Sequence, residues 1–593
     1  MTDTFESTDD VRSGAPLKHL QSVTFDGPIR LKLGGELPEV VCAYETYGRL
    51  NDDASNAVLI CHAISGDSHV ARHDPDDDPG WWDAMVGPGK PIDTDRYFVI
   101  CSNVLGGCRG TTGPGTIDPK TGRPYGPTFP DITVEDMVDV QARLLDHLKI
   151  NRLAAVVGGS LGGHQALCWA MRYPDRIALC CAIATSARLT SQALAFDVVA
   201  RNAIQTDPDF HAGQYYDKPT KPDTGLAIAR MLGHITYLSS KGMADRFDVD
   251  RHNPRQIDTE FESKFSVGSY LAYQGQRFVS RFDANSYVTL SLAMDLFDLG
   301  QTHEQRVRAL SSANCHWLIV SFSSDWLFPP WQSREIVAAL TARNQPVTYT
   351  EVSTESGHDA FLIERDIRQF GPLVTASIES ASADYRPPRL REPLGMIDQR
   401  IVELVNPGES VLDLGCGDGR LLAALRDRGA GRLCGVEVKA SAIIAAARRG
   451  LNVLDYDLNK GLPEFNDHSF DVVVLSATLQ AIENIGWLFD EMLRVGNRCI
   501  VSFANFAYRD LRRMYAEEGR SPKAEGEYCY EWYDTPNRRF PSIADVHDLL
   551  NAKGATIHTA IYLNTHEGRI VPDEDDPNLN ADTAILVMSR AST

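Results

Sequence analysis

The chain has 593 residues, of which 43% are hydrophobic, and a formal net charge of -22 at pH 7. This length is too great for one hydrophobic core, so we expect at least two domains. The acidic balance argues against nucleic acid or an acidic membrane surface as the main partner. No apolar run reaches the roughly 18 residues of a membrane span. The 12 cysteines form no zinc-binding pattern, so we expect reduced thiols, a cytoplasmic location and no metal site.

The chain starts with a polar, acidic segment, residues 1–18, that we expect to be disordered. Residues 57–60 are expected to form an apolar strand. The loop Cys61-His62-Ala63-Ile64-Ser65-Gly66-Asp67 follows this strand. A loop in this position can supply one backbone amide to an oxyanion hole. We assign that amide to Ile64 and interpret His62 as a residue that shapes the loop.

A second apolar strand, residues 153–157, leads into Gly158-Gly159-Ser160-Leu161-Gly162-Gly163 and then into a helical pattern at 164–173. A strand, a glycine-hinged serine and a helix form a nucleophile elbow, because glycines remove the side chains that would clash at the sharp turn. The pattern predicts acyl transfer through an ester of Ser160. The Leu161 amide, directly after the nucleophile, is expected to complete the oxyanion hole.

Two further strands are expected to carry the partners of the serine. Strand 316–322 ends in Ser323-Ser324-Asp325-Trp326, and strand 347–352 is followed by Ser356-Gly357-His358-Asp359. The chain order Ser160, Asp325, His358 is the order of the catalytic triad in the α/β-hydrolase fold. We therefore expect that fold for residues 19–379. Helical patterns at about 189–301 interrupt it and predict a lid that covers the serine and excludes water.

The same half of the chain carries further motifs, spread over about residues 20–375. They include Gly80-Trp81-Trp82-Asp83, Arg230-Met231, Gly233 to Leu238, Arg281 to Tyr287 and Gly357 to Phe361. In combination they resemble homoserine O-acetyltransferases. The resemblance implies transfer of an acyl group from acyl-CoA to the hydroxyl of L-homoserine in methionine biosynthesis, by a homodimer. It also implies that Arg230 binds the homoserine carboxylate and that Asp359 binds its ammonium group.

Residue 327 bears on the identity of the acyl donor. Members of this family that use succinyl-CoA tend to carry an arginine after the Asp-Trp pair, whereas this chain has Leu327. An unpaired succinyl carboxylate would cost a few kcal/mol of desolvation, so we expect acetyl-CoA. Arg109 is a cation elsewhere in the same half, and succinyl-CoA therefore stays open as the alternative.

A second domain is expected after a linker at 380–394, where Ser380-Ala381-Ser382-Ala383 gives way to Arg386-Pro387-Pro388-Arg389. Residues 395–593 restart as a Rossmann-like βαβ pattern, and a glycine turn at 415–419 lets a nucleotide-like ligand approach the backbone. The candidate ligand-binding residues lie at the ends of its first three strands: Asp413, Gly415, Gly417, Glu437 for the ribose hydroxyls, and Asp457 near an adenine.

These features, with Thr478 to Ala481 and Trp532 to Asn537, resemble class I S-adenosylmethionine-dependent methyltransferases and, more narrowly, MetW proteins of methionine biosynthesis. The resemblance implies that this domain binds S-adenosylmethionine. The sequence has no Asn-Pro-Pro-Tyr signature and no assignable catalytic base, so ligand binding is favoured over methyl transfer. A partner that stabilises or regulates the acyltransferase is one interpretation, and a hydrolase fused to an active methyltransferase is another.

Overall fold

The computed structural model describes residues 15–248, 265–382, 384–390, 392–523 and 530–590. The expected disorder of residues 1–14, part of the expected lid (249–264) and two residues of the expected linker (383 and 391) lie outside these ranges. The chain divides into two compact units. The first comprises residues up to 346 together with 350–383, and the second comprises 347–349 together with the residues from 384 onward.

The first unit is built on a mixed sheet. In chain order its strands are β1 Gln21–Arg30, β2 Glu36–Tyr47, β3 Ala57–Cys61, β4 Val86–Gly87, β5 Ile92–Asp93, β6 Phe98–Ser102, β7 Ile117–Asp118, β8 Arg123–Pro124, β9 Ala155–Gly159, β10 Leu179–Ile183, β11 His316–Phe322 and β12 Val347–Val352. The order across the sheet is β1-β2-β6-β3-β9-β10-β11-β12, while β4 pairs with β5 and β7 with β8. Of β12, residues 350–352 belong to this unit. Strands β6, β3, β9, β10 and β11 run parallel, and β1 and β2 are antiparallel additions.

The central strands are buried along their whole length. Every residue of β3, β9 and β10 is buried, as expected for parallel strands that helices cover on both faces. The helices are α1 Val134–His147, α2 Leu161–Arg172, α3 Ser191–Gln205, α4 Asp223–Tyr237, α5 Ser240–Phe247, α6 Ser266–Val279, α7 Ala284–Asp295, α8 His303–Ala309, α9 Pro330–Ala342 and α10 Glu364–Ala381. Helices α3 to α7 form an insertion between β10 and β11. The carboxyl ends of β9, β10 and β11 meet at one edge of the sheet, because these strands are parallel neighbours.

The second unit is a smaller doubly wound sheet. Its strands are β13 Val411–Leu414, β14 Leu433–Val436, β15 Val453–Leu454, β16 Phe470–Leu475, β17 Gly496–Ala504, β18 Ala555–Asn564, β19 Arg569–Val571 and β20 Thr583–Arg590. Its helices are α11 Met396–Leu404, α12 Arg420–Asp427, α13 Ala440–Ala447, α14 Ile485–Val495, α15 Arg509–Ala516, α16 Ile543–Ala552 and α17 Pro577–Asn580. The strand order is β15-β14-β13-β16-β17-β20-β18-β19. The chain adds strands to one side of β13 and then, from β16 onward, to the other side, although β13 and β16 run parallel. Ligands of open α/β sheets bind outside the carboxyl ends of the strands at such a point.

Within the described ranges, no helix combines the length and the apolar character that crossing a bilayer requires.

Candidate active site

Ser160 lies in the sharp turn between β9 and α2. Its backbone has φ 58° and ψ -124°, a strained conformation for a residue with a side chain. Its amide donates a hydrogen bond to the carbonyl of Ile183 at 3.0 Å, which fixes the turn against β10. A Cβ atom on Gly162 would lie 2.0 Å from the carbonyl oxygen of Cys61. The glycine two residues after the serine is therefore required for helix α2 to approach strand β3.

Asp325 and His358 lie in the loops that follow β11 and β12. The His358 Nδ1 atom donates to the Asp325 Oδ2 atom at 2.8 Å. The other carboxylate oxygen of Asp325 accepts hydrogen bonds from the backbone amides of Leu327 (3.0 Å) and Phe328 (2.9 Å). These bonds fix the carboxylate, and the carboxylate in turn selects the imidazole tautomer whose Nε2 atom is free to accept a proton.

The environment of His358 suits a general base. Burial favours the neutral imidazole and lowers the pKa of His358, but the Asp325 carboxylate, with a smaller effect from Asp359, raises it by more. The resulting pKa lies above the usual value for histidine. His164 on α2 differs, because burial lowers its pKa to about 3 and keeps its ring neutral. The acidic partner thus distinguishes the histidine that can hold a proton from the one that cannot.

Two backbone amides are available for an oxyanion hole. Ile64 and Leu161 are buried, and neither amide has a hydrogen-bond acceptor within the described part of the chain. His62 shapes the Ile64 loop, since its Nδ1 atom lies 2.7 Å from the Ala63 carbonyl and its Nε2 atom accepts from the Val104 amide at 3.2 Å. Free amides beside a nucleophile are what an oxyanion requires. Their assignment to that role stays a prediction.

A small, largely apolar cavity contains Ser160 and Ile64 in its wall. Helices α3, α4 and α7 of the insertion supply most of the remaining lining, so the insertion covers the serine as a lid would. The side chain of Leu327 also lines this cavity. The cavity therefore brings together the predicted nucleophile, one predicted oxyanion residue and the predicted determinant of donor specificity.

The two predicted homoserine-binding residues lie beside the cavity. Arg230 on α4 is buried, and its guanidinium packs 4.9 Å from the ring of Phe278 and 5.8 Å from that of Tyr237, which lines the cavity. Asp359 is half-buried and directly follows His358. Their positions suit substrate binding, and the role of each stays a prediction.

Sequence reasoning missed an acidic residue in the cavity wall. Asp197 on α3 lines the cavity, and burial together with the neighbouring Asp295 carboxylate raises its pKa well above the usual value. Asp295 forms an ion pair with Arg201 at 2.6 Å. Arg201 therefore stabilises a negative charge on Asp197 less than it stabilises the charge on Asp295. In the sequence, Asp197 is distinguished only by Arg201 four residues later on the same helix face. This spacing is common on exposed helices, so it does not predict that Asp197 lies in a cavity wall.

The match with known proteins covers both units. A family model described as alpha/beta hydrolase fold matches residues 56–364, and one described as methionine biosynthesis protein MetW matches residues 397–588. A protein of Rhodopirellula baltica named bifunctional methionine biosynthesis protein MetXA/MetW is 59% identical over 594 residues, which is 98% of this chain and 95% of that protein. The chain belongs to the bifunctional MetXA/MetW family. The predicted α/β-hydrolase fold and the predicted fusion to MetW are thereby confirmed.

Two further relatives match the MetXA unit. A homoserine O-succinyltransferase of Alkalilimnicola ehrlichii is 54% identical over 58% of this chain and 90% of that protein. The crystal structure of a homoserine O-acetyltransferase from Bacillus anthracis is 28% identical, with a TM-score of 0.54, over 61% of this chain and 98% of that chain. The relatives thus include proteins named for each of the two acyl donors.

The MetW unit carries the predicted nucleotide-binding residues at the carboxyl ends of β13 to β15. Gly417 has φ 55°, and a Cβ atom there would meet nothing within 4 Å, so open space lies above the turn. The Glu437 carboxylate accepts hydrogen bonds from the Gly417 amide at 3.0 Å and from the amides of Val438 (2.8 Å) and Lys439 (2.9 Å). Three of its roughly four lone pairs are used, which leaves one for a hydroxyl donor.

The remaining predicted residues of this unit lie close to the same turn or at the next strand end. Gly415 has φ 78°. Asp413 in β13 is buried, and burial raises its pKa to about 8, which favours a neutral carboxyl group at neutral pH. Asp457 is exposed and caps the turn that follows, because its carboxylate accepts from the Asn459 amide at 3.0 Å. The open turn and the Glu437 carboxylate fit a nucleoside ligand, whereas the Asp457 carboxylate stabilises the turn that follows it.

Proposed function

We propose that the chain is a homoserine O-acetyltransferase that carries the acetyl group of acetyl-CoA on Ser160 and delivers it to the hydroxyl of L-homoserine. The observation that carries the proposal is the Asp325–His358 pair, 2.8 Å apart, beside a lidded cavity whose wall contains Ser160. Membership of the MetXA/MetW family, established by the match over nearly the whole chain, supplies the metabolic setting in methionine biosynthesis.

The first half-reaction loads the serine. The His358 Nε2 atom takes the proton of the Ser160 hydroxyl, and the Ser160 Oγ atom attacks the thioester carbonyl carbon. The negative charge that develops on the carbonyl oxygen is stabilised by the amides of Ile64 and Leu161. When the carbon–sulfur bond breaks, His358 returns its proton to the sulfur, and free CoA leaves an acetyl ester on Ser160.

The second half-reaction repeats these steps with homoserine as the nucleophile. His358 removes the proton from the homoserine hydroxyl, the hydroxyl oxygen attacks the ester, and Ser160 recovers its proton as O-acetylhomoserine forms. Arg230 and Asp359 are proposed to hold the carboxylate and the ammonium group, so that the hydroxyl lies near the ester. The lid helices exclude water, which would otherwise convert the transferase into a hydrolase.

The cavity lining favours an acetyl donor. Leu327 offers no charge to a second carboxylate, and the half-buried Asp197 lies in the same wall. Arg109, the cation that kept succinyl-CoA open, pairs with Asp67 at 3.4 Å and is not among the cavity-lining residues. Succinyl transfer is the second candidate, because the relative from Alkalilimnicola ehrlichii is named for it.

The proposal is tested by release of CoA from acetyl-CoA or succinyl-CoA, with and without L-homoserine. We expect release that requires acetyl-CoA and homoserine together. It should be lost in Ser160→Ala and kept in Ser311→Ala, a control at an exposed serine of the same unit. A preference for succinyl-CoA would overturn the donor assignment. Release that is indifferent to homoserine would identify a hydrolase instead of a transferase.

For the MetW unit we propose binding of S-adenosylmethionine at the Gly415–Gly417 turn, with a ribose hydroxyl on Glu437. When bound, this ligand could donate a methyl group, or it could report the level of the pathway's end product and adjust acyl transfer. Calorimetry with S-adenosylmethionine tests binding, and Glu437→Gln should weaken it. Saturating ligand that leaves acyltransferase kinetics unchanged would exclude the regulatory role, and methylation of an added acceptor would favour a working methyltransferase.

A homodimer is also proposed for the MetXA unit. The lid helices and their ends expose apolar side chains that a second subunit could cover, including Val198 and Val199 on α3, Ile228 on α4 and Leu296 directly after α7. Light scattering of the purified protein gives the oligomeric state directly, and a monomeric mass at micromolar concentration would contradict the proposal.

The cytoplasmic location stays a prediction as well. The eleven cysteines within the described ranges are free thiols, ten of them buried and Cys108 half-buried, as expected in a reducing compartment.

A further inference from the structure

A cluster of two imidazoles and one carboxylate lies in the MetXA unit, and the reaction described above does not use it. Glu45 on β2, His69 and His73 each offer one potential ligand atom, and these atoms all lie within 4.8 Å of one another. The side chains of Glu45 and His69 are almost fully buried, and that of His73 is 17% exposed. The His73 side therefore provides a route from solvent.

Hydrogen bonding alone accounts poorly for this cluster. The Oε2 atom of Glu45 lies 2.9 Å from each of three donors: the Tyr47 hydroxyl, the His69 Nδ1 atom and the His73 Nε2 atom. Among the described residues, only the Ser68 hydroxyl, at 3.4 Å, hydrogen-bonds to the other oxygen, Oε1. One carboxylate oxygen offers about two lone pairs, so three donors on the same atom exceed its capacity while its neighbour is underused.

His69 presents the same difficulty from the other side. Its Nδ1 atom faces the Glu45 carboxylate, and its Nε2 atom lies 2.8 Å from the carbonyl oxygen of Asp78. Both ring nitrogens thus face acceptors, and a neutral imidazole has only one N–H group, so His69 must carry either a second proton or a cation on Nδ1. A cation bound to Nδ1 would remove the conflict, and the Nε2–H group would then donate to a backbone carbonyl. That outer hydrogen bond is typical of histidines that bind metal ions.

We propose that Glu45, His69 and His73 bind one first-row divalent metal ion, with Zn²⁺ as the preferred ion. Two imidazole nitrogens and a carboxylate oxygen form a ligand set that suits zinc, with bonds of about 2.0–2.1 Å. A tetrahedral site with such bonds separates its ligand atoms by about 3.3 Å. The nitrogens lie 2.9 Å from the Glu45 Oε2 atom and within 4.8 Å of each other, so each would move away from Oε2 by about 0.4 Å while the two nitrogens approach each other by up to about 1.5 Å.

The role of this ion would be structural. Glu45 belongs to the sheet, whereas both histidines belong to the segment between β3 and β4 that begins with the Ile64 loop. The backbone carbonyl of His69 also accepts a hydrogen bond from the Trp81 amide at 3.1 Å. Metal binding would therefore tie the segment that carries an oxyanion amide to strand β2. The spacing of these residues along the chain does not indicate a metal site, and no metal was expected.

The test uses the full-length protein without a histidine tag, treated with a chelator and then titrated with Zn²⁺ or Co²⁺. We expect one ion per chain by elemental analysis, a four-coordinate Co²⁺ absorption spectrum and a higher Tm with the ion bound. His73→Ala removes one ligand at the solvent side. It should weaken binding by more than the roughly 10- to 100-fold that loss of an outer-shell partner costs, whereas His147→Ala, at an exposed histidine of α1, should not.

Two results would overturn the proposal. One is wild-type protein that binds no ion at millimolar Zn²⁺ and shows no rise in Tm, which would leave a metal-free hydrogen-bonded cluster. The other is unchanged metal binding in His73→Ala, which would place the ion elsewhere, for example on a thiol. Glu45→Gln gives a second measurement, since an amide keeps the side-chain volume and accepts from Tyr47 but binds Zn²⁺ poorly. It should lower metal affinity without lowering the Tm of the metal-free protein by as much as the bound ion raises it.

Discussion

Replacing Asp325 by asparagine tests the link between geometry and catalysis most directly. One oxygen of Asp325 accepts two backbone amides, so the oxygen of the introduced amide must stay at that position. Its NH₂ group then faces the Nδ1 atom of His358, where the carboxylate oxygen lies 2.8 Å away. An NH₂ group only donates, so Nδ1 must become an acceptor and the proton must move to Nε2. His358 can then no longer accept the proton of Ser160.

The expected loss in kcat/KM for Asp325→Asn is roughly 10,000-fold, the size of loss seen when the acid of a triad becomes an amide. That loss corresponds to about 5.5 kcal/mol of transition-state stabilisation. The pH profile should change as well. Wild-type activity requires neutral His358 and should rise with pH through a midpoint above about 6.5, because the folded-state pKa is raised. Without the Asp325 carboxylate, burial still lowers the pKa and only the smaller effect of Asp359 opposes it, so the midpoint should fall to lower pH.

The assay is the pH dependence of kcat/KM for homoserine-dependent CoA release, which reports groups of the free enzyme. Asp366→Asn is the matched control, since Asp366 is equally buried and accepts a hydrogen bond from the Thr354 hydroxyl at 2.7 Å. The control should leave the midpoint in place. A midpoint in Asp325→Asn that coincides with the wild-type value would refute the assignment of His358 as the base that Asp325 orients.

Three other changes give independent checks. Leu327→Arg should raise the ratio of kcat/KM for succinyl-CoA over acetyl-CoA by about 10- to 100-fold, because a cation would then face the second carboxylate; an unchanged ratio would remove residue 327 from donor selection. Asp197→Asn should raise Tm at pH 7–8 by about 2 °C, since a raised carboxyl pKa costs stability above the unfolded-state pKa, and the difference should vanish near pH 3. Gly162→Ala should lower activity by at least about 100-fold, whereas Gly115→Ala, whose added Cβ would have its nearest neighbour at 3.5 Å, should be tolerated.

The parts that sequence could predict are those with local signals. The elbow around Ser160 depends on glycines within four residues of one another, and the order of Ser160, Asp325 and His358 follows from strands that each end in a characteristic loop. The fold and the family are confirmed by the comparisons. The roles of the individual triad, oxyanion and substrate residues stay predictions that the geometry supports.

The features that sequence could not predict depend on residues distant in the chain. Asp197 meets Asp295 only because α3 and α7 lie side by side, and the two are separated by 98 positions. Glu45 lies in a strand whose alternation predicts only which residues are buried. It meets His69 and His73 because the segment after β3 folds back onto β2. Neither cluster has a spacing that would distinguish it from ordinary polar residues on a helix or in a loop.

The burial of the cysteines has a practical consequence for enzymology. Burial raises the pKa of Cys42, Cys108, Cys315, Cys434 and Cys499 to about 12, so these groups hold almost no reactive thiolate at pH 8. Free CoA is a small, fully accessible thiol. A thiol-specific dye added to the reaction should therefore respond to product far faster than to these protein thiols, which allows turnover to be followed continuously instead of in quenched samples.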